Sequence, residues 1–207
     1  MDFIKRITVL IFALGMIFQI SVAQDYTKIQ GAFSESYTQE YNGDYTNAIQ
    51  LMKNVYDENS YEINLRLGWL TYMAGFFTES TTYYQNCIEL KPISIEAKFG
   101  FTYPASAMGN WEQVKKQYKD ILEIDPQNSV ANYKLGSIHY GAEDYTSALK
   151  YFEKVVNLYP FDYDGLNMFA WTNLKLGKYR EAEVLFNKVL MYQPNDKSAI
   201  QGLSEIK

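Results

Sequence analysis

Residues 126–160 read PQNSVANYKLGSIHYGAEDYTSALKYFEKVVNLYP, and the prolines at the two ends of this stretch lie 34 positions apart. The same interval separates Pro92 from Pro126 and Pro160 from Pro194, so four of the five prolines follow one period. A fixed period between about 20 and 50 residues is typical of stacked structural repeats. Because proline lacks an amide hydrogen and ends the helix before it, each of these prolines is predicted to mark the end of a repeat.

The 34-residue frame aligns further columns when each proline is counted as position 32. The units are then 61–94, 95–128, 129–162 and 163–196. Positions 8 and 20 are mostly small, with Gly68, Thr102, Gly136 and Ala170 in the first column and Ser80, Val114, Ala148 and Ala182 in the second. Positions 17 and 24 are aromatic, with Phe77, Trp111, Tyr145 and Tyr179 followed by Tyr84, Tyr118, Phe152 and Phe186. Large side chains opposite small ones let two helices approach closely, so both aromatic columns are predicted to fill the core.

These columns resemble the tetratricopeptide repeat. The resemblance rests on Leu135-Gly136, Asp144-Tyr145, Ala148, Tyr151-Phe152 and Pro160, on Gly177 through Tyr179, Ala182, Phe186 and Pro194, and, in a weaker unit over 29–60, on Gly43-Asp44-Tyr45, Ala48 and Met52. It implies an all-α, right-handed superhelix of helix-turn-helix units, with 24–207 forming a single domain. Residues 197–207 are predicted to form a capping helix, with Ile200 and Leu203 facing inward to cover the last core face.

The first 23 residues have the pattern of a secretory signal. Lys5 and Arg6 precede an almost continuously apolar run over 7–22, and Ser21-Val22-Ala23 supplies small residues before a cleavage point. The run of about 16 residues is shorter than the roughly 20 that span a bilayer, which favours cleavage after Ala23 over an uncleaved membrane anchor. The cleaved protein is predicted to be exported, periplasmic or secreted, without stable membrane insertion.

The charge of the chain argues against a nucleic-acid partner. The whole sequence has a formal net charge of −5, and removal of residues 1–23 takes away Asp2, Lys5 and Arg6 and leaves −6. A nucleic-acid binder needs basic surface to displace counterions from phosphates. We therefore predict no nucleic-acid partner.

No residue pattern predicts catalysis. His139, the only histidine, occupies packing position 11, and Cys87, the only cysteine, occupies the small position 27. A general base or a metal site needs convergent partners, and the sequence lacks glycine-rich phosphate loops and a Gly-x-Ser-x-Gly pattern. His139, Cys87 and Trp111 are predicted to pack in the fold, and the protein is predicted to be no enzyme and to use no metal or cofactor.

In the tetratricopeptide family, the first helix of each unit lines a concave groove, mainly through positions 2, 5, 9, 12 and 13. Several of these positions are three or four residues apart and share one stripe of the helix. The predicted groove residues are Phe33, Tyr37, Leu65, Trp69, Tyr72, Phe99, Tyr103, Tyr133, Tyr140, Asn167 and Trp171, with an acidic rim of Glu62, Glu96 and Asp164. Aromatic stripes at helical spacing commonly belong to a core. Because positions 17 and 24 already provide core aromatics, the second set is predicted to bind a ligand.

The resemblance and the groove residues together predict a non-catalytic scaffold that binds a peptide or protein segment in a bacterial envelope assembly. The acidic rim favours a ligand with apolar or aromatic anchors and some positive charge. Two alternatives remain open: a glycan-binding module that stacks sugars on the same rings, and a structural subunit that forms homo-oligomers. Some family members clamp a terminal carboxylate with basic residues and asparagine, but only Asn167 and Lys175 resemble that clamp here.

Pro104 stands at position 10, inside the predicted first helix of 95–128. It removes an amide donor and crowds the carbonyl of Gly100, at a cost of about 3 kcal/mol if the helix stays straight. A kink there is predicted to tilt Phe99 and Tyr103 and to bend the groove. The alternative is a tolerated irregularity, which predicts that Pro104→Ala leaves ligand affinity unchanged.

Overall fold

A computed structural model describes residues 26–206, and every regular element in this range is a helix. Helix α1 covers 26–41. It is followed by α2 (Tyr45–Lys53), α3 (Tyr61–Met73), α4 (Phe77–Leu90), α5 (Ile95–Ala107), α6 (Trp111–Ile124), α7 (Ser129–Gly141), α8 (Tyr145–Leu158), α9 (Tyr163–Lys175), α10 (Tyr179–Tyr192) and α11 (Lys197–Glu205). The predicted all-α fold is confirmed, whereas the predicted signal over 1–23 lies outside the described residues. No helix within 26–206 is long and apolar enough to cross a membrane.

The chain divides between Met108 and Gly109 into two compact units. In the first unit α2 packs on α3, α3 on α4 and α4 on α5, and in the second each helix from α6 to α10 packs on the one that follows. The helices at 61, 95, 129 and 163 cover positions 1–13 of their repeats, and their partners cover positions 17–30. The prediction of helix-turn-helix units is therefore confirmed. The assignment of all repeats to a single domain stays a prediction.

A left-handed residue joins the two helices of each repeat. It is glycine at Gly43, Gly75, Gly109 and Gly177, with φ between 72° and 82°, and glutamate at Glu143, with φ of 60°. In the turn after α7, the Glu143 amide donates to the Tyr140 carbonyl at 3.0 Å and the Asp144 amide to the His139 carbonyl at 2.9 Å. These bonds satisfy carbonyls left free at the helix end. Glu143 thus occupies a conformation that favours glycine.

The prolines occupy hydrogen-bonded turns that end one helix and begin the next. In the first of these turns, the Ser94 amide donates to the Lys91 carbonyl at 2.9 Å, which places Pro92 second in the turn, where its fixed φ fits. The residue two places after each proline then caps the following helix through a side-chain oxygen: Ser94, Asn128, Asp162 and Asp196. Ser60 does the same for α3. The predicted helix ends are confirmed, and the sequence analysis missed this column of caps.

The small and large columns interlock in the core. The side chains at position 20 are at most 1% exposed, and Ser80 donates its hydroxyl hydrogen to the carbonyl of Gly68, at position 8, over 2.7 Å. Phe152 and Phe186, at position 24, are completely buried. A Cβ placed on Gly136 would lie 2.7 Å from the Phe152 ring. Close packing on these rings therefore explains why position 8 is small.

Two further glycines, which the sequence columns did not single out, also contact the core rings. A Cβ on Gly100 would lie 2.1 Å from the Tyr84 ring, and a Cβ on Gly202 would lie 2.1 Å from the Phe186 ring. Tyr84 also touches Gly68, its partner within the repeat, where an added Cβ would be 3.0 Å away. The ring of Tyr84 is therefore held between α3 and α5.

The prediction that position 17 is core is wrong for Trp111 and Tyr179, which are 52% and 46% exposed. Position 17 is the first residue of the second helix. A helical side chain normally packs over the preceding turn of its own helix. Because no turn precedes position 17, its ring lacks this covering surface. Phe77 and Tyr145 are half-buried because they reach back to position 12. Their ring centroids lie 5.9 Å from Tyr72 and 5.2 Å from Tyr140, respectively.

Helix α11 covers the end of the α9–α10 pair. Ala199 and Gly202 are buried, and Leu203 and Ile206 pack against the cluster that contains Phe186. These four residues have the i, i+3, i+4, i+7 spacing of one helix face. Ile200 falls outside this face and is 48% exposed, so the prediction that it points inward is wrong.

Candidate binding surface

Three predicted groove residues of the first unit form one aromatic cluster. The rings of Tyr72 and Tyr103 are stacked with centroids 5.6 Å apart, and the Trp69 ring lies 5.9 Å from Tyr72 and 6.4 Å from Tyr103. Trp69 and Tyr72 are half-buried, whereas Tyr103 is 49% exposed. We call Trp69, Tyr72 and Tyr103 the α3–α5 aromatic cluster. Its rings support one another, and Tyr103 presents the most open surface.

A partly buried ion pair holds Trp69 in place. The indole Nε1 donates to Glu40 Oε1 at 2.5 Å, and the other carboxylate oxygen pairs with Arg66 Nη1 at 2.5 Å. Arg66 is 6% exposed, donates from Nε to Ser36 Oγ at 3.0 Å, and lies over the Tyr37 ring at 3.9 Å from its centroid. Charge-assisted bonds of this kind are stronger than neutral ones, so they hold Trp69 and Tyr37 in defined positions.

Glu40 and Arg66 were not among the residues predicted from the sequence. Both are surface-type residues, and one sequence gives no sign that they pair. The predicted residue Tyr37 is 55% exposed, so its ring covers the buried guanidinium on one side and faces solvent on the other. A buried cation beneath an exposed ring makes this part of the surface both rigid and accessible.

The predicted residues at position 5 of the first unit are mainly packing residues. Phe33 packs against the buried cluster that contains Ile63 and Leu67, and Leu65 packs against the cluster of Tyr61, Cys87 and Ala97. Phe99 is half-buried. These side chains support the helix pairs beneath the aromatic cluster and expose only part of their surface.

In the second unit, the predicted aromatic residues rest on the core of their own repeats. Tyr133 meets Phe152 edge-on at 5.8 Å, and Trp171 meets Phe186 edge-on at 5.3 Å. The Trp171 Nε1 donates to Ser198 Oγ at 2.8 Å. Tyr140 contacts Tyr145. Each of these predicted residues is half-buried, so each offers one edge or face to solvent.

The acidic rim residues differ in how far their charge is neutralised. Glu62 accepts from Lys91 Nζ at 3.2 Å, and bonds from its own backbone amide and from Lys91 lower the pKa of its carboxyl. Glu96 accepts from the Tyr61 hydroxyl at 3.2 Å. Asp164 is exposed and lines an open pocket of about 170 Å³ together with Ser129, Val130, Tyr133, Val155, Tyr159 and Asp162. Glu62 is thus paired with a cation, whereas Asp164 shares its pocket with a second carboxylate, Asp162, and with no basic residue.

The comparisons with known proteins agree with this architecture. Residues 139–205 match the family described as tetratricopeptide repeat (TPR). This match and the similar proteins described below support membership of the TPR family. It is 24% identical over 187 residues to the TPR repeat-containing protein YpiA of Bacillus subtilis, an alignment that covers 88% of this chain and 44% of YpiA. The chain therefore spans less than half the length of that relative.

Solved structures share the fold. A crystal structure of a TPR protein from Parabacteroides merdae matches with a TM-score of 0.75 and 19% identity, over 87% of this chain and 72% of that one. A crystal structure of the MamA protein matches with a TM-score of 0.70 and 19% identity, over 80% and 92% of the two chains. At these identities the likeness establishes the TPR fold alone.

The two clamp-like residues, Asn167 and Lys175, already have partners within the fold. Asn167 Oδ1 accepts from the Ser198 hydroxyl at 3.2 Å, and Lys175 Nζ lies 5.9 Å from the centre of the Trp171 ring. Asn167 thus belongs to the hydrogen-bonded group that orients Trp171 through Ser198. Its predicted role in binding is therefore indirect in this arrangement.

Cys87 and His139 pack within the TPR repeats. Cys87 is completely buried, its thiol donates to the Tyr61 carbonyl at 3.5 Å, and burial raises its pKa to about 12. His139 is stacked on Tyr151 at 5.5 Å, and its Nδ1 lies 3.0 Å from Asp144 Oδ2. Among the described residues, no group of three or more His, Cys, Asp and Glu side chains is placed to hold a metal ion.

Helix α5 runs from Ile95 to Ala107 with the buried Pro104 inside it. The helix resumes its bonding beyond the proline, since the Met108 amide donates to the Pro104 carbonyl at 3.1 Å. Tyr103, directly before the proline, points into the aromatic cluster. The proposed effect of Pro104 on ligand binding stays a prediction.

Proposed function

We propose that this TPR protein is a non-catalytic scaffold that binds an extended peptide or protein segment through the aromatic side chains of its first helices. The observation that carries the proposal is the α3–α5 aromatic cluster. Its rings are fixed by mutual contact and by the Glu40–Arg66 pair, yet Tyr103 remains half exposed. An aromatic cluster that the fold holds rigid and that exposes one of its rings is an expected anchor for a partner.

Two physical arguments support this assignment. Tyrosine and tryptophan are among the residues that dominate the energetics of protein interfaces, and the first unit places both together. A preorganised ring also loses little conformational entropy on binding, so more of the contact energy appears as affinity. The segment over 1–23, with its basic start and apolar run, supports export, and we therefore place the scaffold in the bacterial envelope.

The test is crosslinked capture of partners from the native envelope with the full-length protein and a Tyr103→Ala variant. Loss of the exposed ring is expected to reduce capture by roughly tenfold or more, the range of an aromatic hot spot. Tyr179→Ala is the matched control, because Tyr179 has similar exposure but begins the second helix of its repeat. Equal capture by wild type and Tyr103→Ala would place the binding surface elsewhere.

A second variant tests the positioning of Trp69. Trp69→Phe keeps a ring but removes the indole N–H that donates to Glu40. We expect weaker capture with unchanged helicity, measured by circular dichroism. Trp171→Ala is less informative, since Trp171 packs on Phe186 and its loss also disturbs the core.

The glycan and homo-oligomer alternatives remain testable with the same protein. Titration with soluble oligosaccharides, followed by tryptophan fluorescence, should leave the emission unchanged for a peptide-binding surface. Light scattering over a range of protein concentrations reports self-association. A saturable oligosaccharide response would favour the glycan-binding alternative.

A further inference from the structure

The pocket beside Tyr133 lies within the second unit and is formed by the first turns of α7 and α9 and the end of α8. Its volume of about 170 Å³ is well below the roughly 300–1,000 Å³ of small-molecule sites. A pocket of this size fits one side chain of a larger partner.

The charged groups of the pocket are both acidic. Asp162 Oδ1 accepts from the Gly165 amide at 2.7 Å, while Asp164, two residues further on in the first turn of α9, is exposed to solvent. None of the seven lining residues is basic. Burial and then the negative charge of Asp164 raise the pKa of the Tyr133 hydroxyl, and Asp162 adds to this effect. Both carboxylates therefore act on the same small volume.

The walls of the pocket are apolar and aromatic. Val155 is buried at the base, Val130 and Tyr159 are 51% and 56% exposed, and Tyr133 is held edge-on against Phe152. Tyr159 follows the end of α8, where the chain turns through Pro160 into the cap of α9. The rings and the valines thus provide apolar surface next to the two carboxylates.

We propose that this pocket receives a lysine or arginine side chain of the protein partner. The aliphatic stem of such a residue packs on the valines and tyrosines, and its cation is attracted to Asp164, Asp162 and the exposed ring faces. A neutral or acidic side chain gains none of these charge interactions. The inference rests on the proposed function, because it names the side chain by which a bound segment is recognised.

The probe is the peptide acetyl-Gly-Arg-Gly-amide, titrated into the full-length, ¹⁵N-labelled protein and followed by NMR. The matched control peptide carries citrulline in place of arginine, which keeps the shape but removes the charge. We expect saturable shifts at the amides of Val130, Tyr133 and Gly165 for the arginine peptide and much smaller shifts for the citrulline peptide. Raising the salt from about 0.1 M to about 1 M shortens the Debye length from about 10 Å to about 3 Å and should weaken binding.

Asp164→Asn should weaken binding of the arginine peptide by roughly 1.5-fold to fivefold, as expected for an exposed ion pair. Glu183→Gln is the matched control, since it removes one exposed negative charge from α10 of the same unit, outside the pocket. Equal binding of the arginine and citrulline peptides, or an unchanged affinity in Asp164→Asn, would falsify the proposal. If Asp164→Asn still captures the partner, the proposed role of the pocket is refuted. The aromatic scaffold function would be unaffected, because it is tested separately through Tyr103→Ala.

Discussion

Replacement of Gly100 by alanine tests whether the Tyr84 ring sets the distance between α3 and α5. The added Cβ would lie 2.1 Å from one ring carbon and 2.6 Å from the next. Carbon atoms prefer separations of about 3.5–4.0 Å, so the ring or α5 must move by more than about 1 Å. Tyr84 is 3% exposed and already touches Gly68 on its other side, which leaves the ring little room to move.

The expected loss of stability follows from two opposing effects. Overpacking of a buried site costs typically about 1–3 kcal/mol. Alanine in a helix interior recovers about 0.5–1 kcal/mol relative to glycine. The 2.1 Å contact places Gly100→Ala in the upper part of the overpacking range, so we expect it to lower the free energy of unfolding by about 1–2 kcal/mol. For a chain of this length, that corresponds to a decrease in Tm of about 2–8 °C.

Urea denaturation followed by circular dichroism measures this loss. Gly31→Ala is the matched control, because Gly31 lies within α1 and an added Cβ meets nothing within 4 Å. It should stabilise the protein by up to about 1 kcal/mol. In a Tyr84→Leu background the clash is gone, so Gly100→Ala should become neutral or stabilising. If Gly100→Ala is as stable as wild type, or if Tyr84→Leu gives no relief, the packing argument is refuted.

Two further predictions concern the turn after α7 and the buried thiol. Glu143→Gly should stabilise the protein by about 0.5–1 kcal/mol, because φ at Glu143 is 60°. Ala142→Gly, at a negative φ, should not stabilise it, and thermal melts of the two variants separate these outcomes. Cys87 should resist iodoacetamide at about pH 8 until denaturant unfolds the chain, and labelling of the native protein would contradict its burial. Because burial raises the pKa of Cys87 from 9.0 to about 12, the contribution of the neutral thiol to stability is fully present below pH 9.0 and is lost as the pH rises towards 12. The free energy of unfolding should therefore fall more steeply over this range in wild type than in Cys87→Ala, and parallel curves would contradict this assignment.

The repeat architecture could be predicted because helix ends and core columns leave local marks in the sequence. The proline spacing gave the helix ends, and the small residue at position 8 follows from its contact with the ring at position 24. Trp111 was wrongly predicted to be buried because position 17 is aromatic in every unit. A shared residue type does not reveal that this position begins a helix, where no preceding turn covers the ring. The caps at Asn128 and its equivalents were present as a column of Ser, Asn and Asp and could have been recognised from their spacing to proline.

The missed features depend on contacts between distant residues. Glu40 and Arg66 are 26 residues apart, and neither occupies a column with a shared residue type. Gly100 lies at position 6, where the corresponding residues are Arg66, Lys134 and Met168, so its contact with Tyr84 depends on the local distance between helices. The candidate groove residues could be listed from the family pattern, but their division into exposed rings and core-supported rings required the three-dimensional packing.

The four-residue turns that contain Pro92, Pro160 and Pro194 have a consequence for how the repeats tolerate change. Each turn is closed by a backbone hydrogen bond, and its last residue already caps the next helix. The link between the two helices therefore has no spare residue that could absorb an insertion. One inserted residue must either break the turn or shift the next helix by one position, which rotates its faces by about 100°. Such a shift would carry an inward residue such as Gly202 away from its ring. Insertions should therefore be tolerated far better at the chain ends than in these links.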